Sequence, residues 1–464
     1  MRGAGAPTGG GALLGLLVAG MLVAAQACSG SPPNDVSVNP SGVPAARAGD
    51  SWTTYHHDAG RHGYDPHANP ASGRLQTAWA RRLDGAVYGE PLVVGGRVVA
   101  VTENDTVYAL DTAGEVLWSR HLGTPVSLDS LPCGNIDPLG ITSTPVYDDA
   151  SNRLFVVAEL AGPPRHRLYA LDPADGSVSW SRSLDPPGMD PVVQQQRGAL
   201  ALANGRVWVP FGGLAGDCGD YHGWLIGVPT TGAGAAGVYR TPSPREAGIW
   251  APSGPAVDGS GLLYASVGNG SATSPPYDDS DSVLQLDDGR KVSLFAPSSW
   301  AAENAADQDL GSTGPALVDA QGLHWVFVDG KAGFGYLLHR DDLGGIGGQA
   351  ATLSGCTSFG GTAAHAGTIY VPCDDGIRAV TITVGPDLQV AWHNTDSGLG
   401  ASPVLGGGAL WAVTDGDLLQ IDPSDGHTVT SLAVGECPHF ATPTLHGSLV
   451  LIGTMDGVTA VRTS

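Results

Sequence analysis

Residues 168–181, Leu-Tyr-Ala-Leu-Asp-Pro-Ala-Asp-Gly-Ser-Val-Ser-Trp-Ser, constrain this chain most, because the chain keeps returning to that pattern. Leu168 and Ala170 point one way and Tyr169 and Leu171 the other, the period of a β-strand. Pro173, Asp175 and Gly176 supply turn chemistry, and Val178 and Trp180 share one face of a returning strand. The nearest second copy is Val107, Tyr108, Ala109, Leu110 and Asp111 with Gly114 and Trp118. A third runs through Leu418 and Ile421 into Asp422-Pro-Ser-Asp-Gly426. Weaker copies lie at 224–228, 283–287, 336–339, 377–380 and 458–461. The unit therefore recurs eight times, at spacings of roughly 35 to 60 residues, the range of propeller blades.

A second piece precedes most copies: one or two small residues, a proline and a β-rich run. Examples are Pro91, Pro145, Pro255, Pro315, Pro403 and Pro443. Proline suits the first residue of a strand, where no ladder donor is lost. Each unit thus reads as four strands. Trp79 lies in a returning strand with no partner before it, and residues 458–461 form an outgoing strand with no partner after it. Pairing the two closes a ring and hides two sheet edges. The expected fold is all-β, an eight-bladed propeller of four-stranded antiparallel blades over residues 51–464.

Composition agrees. Of 464 residues 69 are Gly and 34 Pro, a make-up of short strands and turns. The net charge of −23, without clustered Lys and Arg, excludes nucleic acid as a partner. No phosphate-binding, dinucleotide-binding or Gly-x-Ser-x-Gly motif stands in a fitting context.

Residues 1–28 read as an export signal: Arg2, an apolar run from Leu13 to Ala25, then Gln26, Ala27 and Cys28. The ending resembles a bacterial lipobox, which implies lipidation of Cys28, an extracytoplasmic location and anchoring to the cell membrane. The alternative is simple secretion with cleavage near Ala27. Residues 29–50, with four prolines, read as a disordered tether. His56, His57 and His62 follow, and are expected in an arm packed on the ring, solvated rather than metal-bound.

Turns such as Gly95-Gly96 and 258–261 are short, whereas the alternate connections 124–144, 159–167, 185–197, 212–223, 268–281 and 296–314 are long. Alternate connections share a face, so the long ones gather on one side, where a scaffold carries its function. Four cysteines lie in or beside them. The expected pairs are Cys133–Cys218 between neighbouring blades and Cys356–Cys373 within one, leaving Cys437; free thiols are the alternative.

The Tyr-Ala-Leu-Asp…Gly…Trp units resemble the repeats of the pyrroloquinoline quinone (PQQ) propeller family, across nearly all of residues 52–464. That family holds quinoprotein dehydrogenases, outer-membrane assembly lipoproteins and other lipoproteins. Some positions are similar to quinoprotein alcohol dehydrogenases in particular. The resemblance implies that Trp250 stacks under PQQ and that Asn269, with Glu159, ligates calcium. It also implies that Asp307 or Asp309 is the catalytic base and that Lys331 reaches the quinone. Arg197 would face PQQ carboxylates, with Gln196, Thr142 and Ser312 lining the same mouth. The chain lacks the adjacent cysteine pair of many such enzymes. The favoured reading is a module that binds an envelope protein or small-molecule ligand through its long-loop face. A PQQ- and calcium-dependent dehydrogenase for an alcohol or sugar is the alternative.

Overall fold

The structure is a computed structural model that describes residues 51–398 and 402–463. The export segment, Cys28 and the tether lie outside the described residues. Eight sheets, each with four antiparallel strands, follow one another around a ring; three carry a fifth short strand, which pairs parallel in two of them. Blade 1 is Leu92–Val94, Arg97–Val101, Thr106–Leu110 and Val116–His121. Blade 2 is Val146–Asp148, Arg153–Leu160, Arg165–Leu171 and Val178–Ser183. Blades 3 to 7 begin at Ala201–Ala203, Ala256–Val257, Ala316–Ala320, Ala363–His365 and Val404–Gly406. Blade 8 takes Thr444–His446, Leu449–Thr454 and Gly457–Thr463 from the chain's end and its outer strand, Leu75–Arg82, from the beginning. Leu75 pairs with Thr463 and Arg82 with Gly457, the closure read from the repeat.

Both faces of the inner strands are buried, whereas outer strands such as Val178–Ser183 are largely exposed, and blade 2 shows how alternation achieves the burial. Leu154, Val156, Ala158 and Leu160 join the core shared with blade 1. Phe155 and Val157, pointing the other way, pack with Val207, Val209 and Phe211 of blade 3.

The repeat's glycine and tryptophan belong to one latch between neighbouring blades. Trp118 of blade 1 lies under the turn of blade 2, where a Cβ on Gly176 would come within 2.5 Å of its ring. Its indole Nε1 donates to Pro173 O at 3.1 Å, and Arg120 Nε donates to Gly176 O at 2.9 Å. Trp79 and Arg81 hold Gly114 in the same way, and Trp392 with Asn394 holds Gly426. Gly176 also sits at φ +70°, where a side chain is strained. Gly176→Ala should therefore cost about 2–3 kcal/mol in urea unfolding. A change below about 0.5 kcal/mol would show that the latch yields freely.

Residues 51–71 touch every blade. Main-chain hydrogen bonds join Trp52 to Val93, Thr53 to Tyr147, Ala59 to Val257, Gly60 to Leu317, His62 to Ala364, Gly63 to Leu405 and Asn69 to Gly447. Blade 3 is reached by Arg61 Nη2, which donates to Leu200 O at 2.9 Å. The expected packed arm is thus present, but its histidines are not all solvated. His56 is fully buried: its amide donates to Glu90 Oε2 at 2.8 Å, and its ring bonds Thr362 O and Thr442 Oγ1. Tyr55 stacks on it at 4.2 Å.

Both expected disulfides are formed, and Cys437 is free. Cys133–Cys218 ties the connection after blade 1 to blade 3. Beside it Val126, Ile136, Leu139 and Leu214 form a small apolar cap that includes Tyr88. One connection expected to be long, 159–167, is short, because the strands on either side extend to Leu160 and from Arg165. Among the described residues no helix is long and apolar enough to cross a membrane.

Candidate active site at the long-loop face

Asp309 is the meeting point of four segments. It directly precedes the single turn Leu310–Ser312, after the short helix Trp300–Ala306. Its Oδ1 accepts the Asn269 amide at 2.8 Å and Trp250 Nε1 at 3.4 Å, and its Oδ2 is ion-paired with Lys331. Lys331 Nζ lies 5.6 Å from the centre of the Trp250 ring and 3.3 Å from Asp307. Asn269 and Lys331 follow the second strands of blades 4 and 5, so the blade geometry delivers both to one rim.

Glycine permits the approach. A Cβ on Gly268 would collide with Asp309 and lie 2.9 Å from Trp250 Nε1; one on Gly212 would lie 2.6 Å from Trp250 Cβ. Asn304 pins the same loop from the helix, accepting the Gly270 amide at 2.6 Å and donating to Ala272 O and Ser280. Burial alone would lower the Lys331 ammonium; the Asp309 carboxylate outweighs it and holds the group above its ordinary value. The Asp309 side chain is 3% exposed and that of Asp307 63%. Of the two candidate bases, then, only Asp309 sits in a water-poor site.

Glu159 lies in a second group, held by blades 2 and 3. Its Oε1 accepts the Gln196 amide at 2.7 Å and its Oε2 lies 3.5 Å from His166 Nε2. His166 Nδ1 is 2.8 Å from Asp185. Among the described residues no contact joins Glu159 to Asn269. The Gln196 side chain is spent on Ser143 and Gly198, and the Ser312 hydroxyl bonds Ser358 O at 2.7 Å. Arg197 lies 5.5 Å from the centre of the Phe440 ring, and no hydrogen bond from its guanidinium is found among the described residues. Thr142 is buried, its hydroxyl directed at Glu103 without a well-formed hydrogen bond.

Sequence reasoning passed over His166, Glu103 and Asp105. His166 pairs across the ladder with Glu159 in a segment read as a loop. Glu103 and Asp105 are buried at the loop end of blade 1, with three of their carboxyl oxygens lacking a well-formed hydrogen bond. Burial, opposed by the Gly140 amide, pushes Glu103 up to about 8, and burial with Glu103 and Glu159 nearby puts Asp105 well above the carboxylate range. The one available signal was two acidic residues, at 103 and 105, within a run otherwise reading as β.

Burial opposes a charge on His166, but Glu159, then Asp185, lift it from 6.5 to about 9. Its folded-state value is raised, so its contribution to stability is complete below pH 6.5 and disappears as pH rises through about 9. His166→Asn should flatten that part of the pH–stability curve relative to the parent. An unchanged curve would mean that the imidazole is neutral throughout.

A PQQ-repeat family profile, described as outer membrane protein assembly factor BamB, matches residues 67–210. Polyvinylalcohol dehydrogenase of Sphingopyxis sp. (strain 113P3) is 25% identical over 510 aligned positions, covering 95% of this chain and 74% of that protein. This chain's repeats are PQQ-like and its ring is an eight-bladed propeller. Among solved structures, quinohemoprotein alcohol dehydrogenase from Comamonas testosteroni matches this PQQ-repeat propeller with TM-score 0.71 and 15% identity, over 89% of this chain and 80% of its own. BamB from Moraxella catarrhalis matches with TM-score 0.60 and 16% identity, over 84% and 100%. At such identities the two structures speak for the fold alone.

Proposed function

We propose that this PQQ-repeat propeller is a PQQ- and calcium-dependent dehydrogenase of an alcohol or sugar, with Asp309 as its base. The observation that carries the reading is the convergence of Trp250, Asn269 and Lys331, from three separate connections, on one carboxylate. A relative that matches 95% of this chain bears a dehydrogenase's name, which supports the same side. The donor set suits a flat polycarboxylate: an indole face and the Arg197 guanidinium, which has no hydrogen bond among the described residues. Asn269 would hold the calcium; Glu159, expected beside it, is engaged instead by Gln196 and His166. When bound, the quinone supplies a two-electron acceptor for the hydride of the carbinol carbon.

The chain's own part follows from position. Trp250 gives the ring a floor, and Lys331 keeps a positive charge beside it. Asp309 takes the hydroxyl proton as the carbon–hydrogen bond breaks. The cap around Cys133–Cys218 limits water on the blade 1–3 side. We also infer that the ring works outside the cytoplasm, held to the membrane through Cys28; the two disulfides support an oxidising compartment.

Purified protein given PQQ and Ca²⁺ should gain thermal stability and oxidise alcohols with an artificial acceptor, and Trp250→Ala should abolish both. Neither effect under saturating cofactor would refute the reading. The partner-binding reading has the Phe359–Phe440 ring pair, 6.1 Å apart at the mouth, in its favour. Phe440→Ala should then weaken capture of an envelope partner, whereas the dehydrogenase reading expects a smaller effect there than at Trp250.

A further inference from the structure

We propose that Glu103, Asp105 and Thr142 form a second divalent-cation site, suited to calcium, where blade 1 meets blade 2. The proposal does not depend on PQQ. In the loop 102–106 alternate residues face opposite ways. Thr102, Asn104 and Thr106 all grip Asp84, at 2.8, 2.9 and 2.6 Å. Glu103 and Asp105 are turned from it towards Gly140. The Gly140 amide donates to Glu103 Oε2 at 2.7 Å, and a Cβ on Gly140 would stand 3.0 Å from Asp105 Oδ1.

What remains without a well-formed hydrogen bond is Glu103 Oε1, both oxygens of Asp105 and the Thr142 hydroxyl, which is directed at Glu103. Exposures are 2% for Glu103, 0% for Asp105 and 5% for Thr142, so bulk water does not answer them. An unsatisfied buried acceptor costs about 1–3 kcal/mol, and a bare buried carboxylate more. Local cations do not balance the charge. His166 already faces Asp185 and Glu159, and among the described residues Arg197 is the one further cation near Glu103 and Glu159. Glu103 and Asp105 therefore share a space short of positive charge. Four hard protein oxygens completed by water match the 6–8 oxygens that calcium takes, in a geometry looser than magnesium demands. Glu159, Asn269 and Asp309 are not needed for this site.

The test is titration of the chelator-treated full chain with CaCl₂, without PQQ, read by calorimetry and by thermal unfolding. Calcium should bind and raise the unfolding temperature. Asp105→Asn should lose that shift and, with its charge removed, leave the calcium-free protein more stable than the parent. Thr142→Val, which keeps the shape and removes one donor, should weaken calcium binding about tenfold. Asn269→Ala should keep the shift. The proposal is overturned if calcium neither binds nor stabilises, or if the shift is lost in Asn269→Ala and kept in Asp105→Asn. It is equally overturned if the parent and Asp105→Asn respond alike, which would mean that the two carboxyls are held by protons.

Discussion

Asp309→Asn is expected to lower kcat for alcohol oxidation by about a thousandfold, the middle of the range for a positioned general base. The substitution keeps the size of the side chain and one hydrogen-bond acceptor, so Trp250 Nε1 and the Asn269 amide retain a partner. It removes the charge that Lys331 faces and the atom that takes the proton. Quinone binding should therefore weaken far less than turnover, and measurements of both on the same preparation separate the two effects. Asp307→Asn should cost much less, because that carboxylate is exposed. If Asp307→Asn is the damaging change and Asp309→Asn is mild, the base has been misassigned.

Arg61→Ala is expected to destabilise the fold by about 4 kcal/mol, although Arg61 lies far from the long-loop face in sequence and belongs to no blade. Its guanidinium is buried and donates to Pro255 O, Leu200 O, Tyr55 O and the Thr54 hydroxyl, at 2.7 to 3.0 Å. Loss of the side chain leaves those acceptors without donors inside the ring. Lysine would not replace it, since one ammonium cannot span the same fork. Urea unfolding gives the number, and a loss under about 1 kcal/mol would mean that the arm is a passenger on a ring stable without it.

The ring itself was legible because its signals are local and repeated. Period-two alternation, turn glycines and the unpaired strands at 75–80 and 458–461 each required only neighbouring residues to interpret. The latch was half legible: Gly and Trp were visible as a signature, but that Trp118 packs on the next blade's Gly176 is a contact across 58 residues, and periodicity carries no such distance. Trp250, Asn269, Asp309 and Lys331 were found through family resemblance, and the blade geometry explains why they meet. Gln196 and Ser312 were named for their place at the mouth, which fixes the backbone and not the rotamer; their side chains bond inward. His166 was invisible because its role depends on how far a strand extends, and strand ends are the least determined feature of a sequence. His56 was read as a solvated group because ionisable side chains are mostly exposed, and Arg61 was passed over. Here an arm laid across the axis supplies main-chain and hydroxyl partners that only the closed ring brings together.

The proposed function places a quinone among the residues around Asp309. Equilibrium binding of PQQ to the calcium-loaded protein tests it most directly, compared with Trp250→Ala and Lys331→Ala. Saturable binding of one PQQ per chain is expected, greatly weakened in both variants while their unfolding curves stay near the parent's. Failure of the parent to bind PQQ, or binding that both variants retain in full, would contradict it.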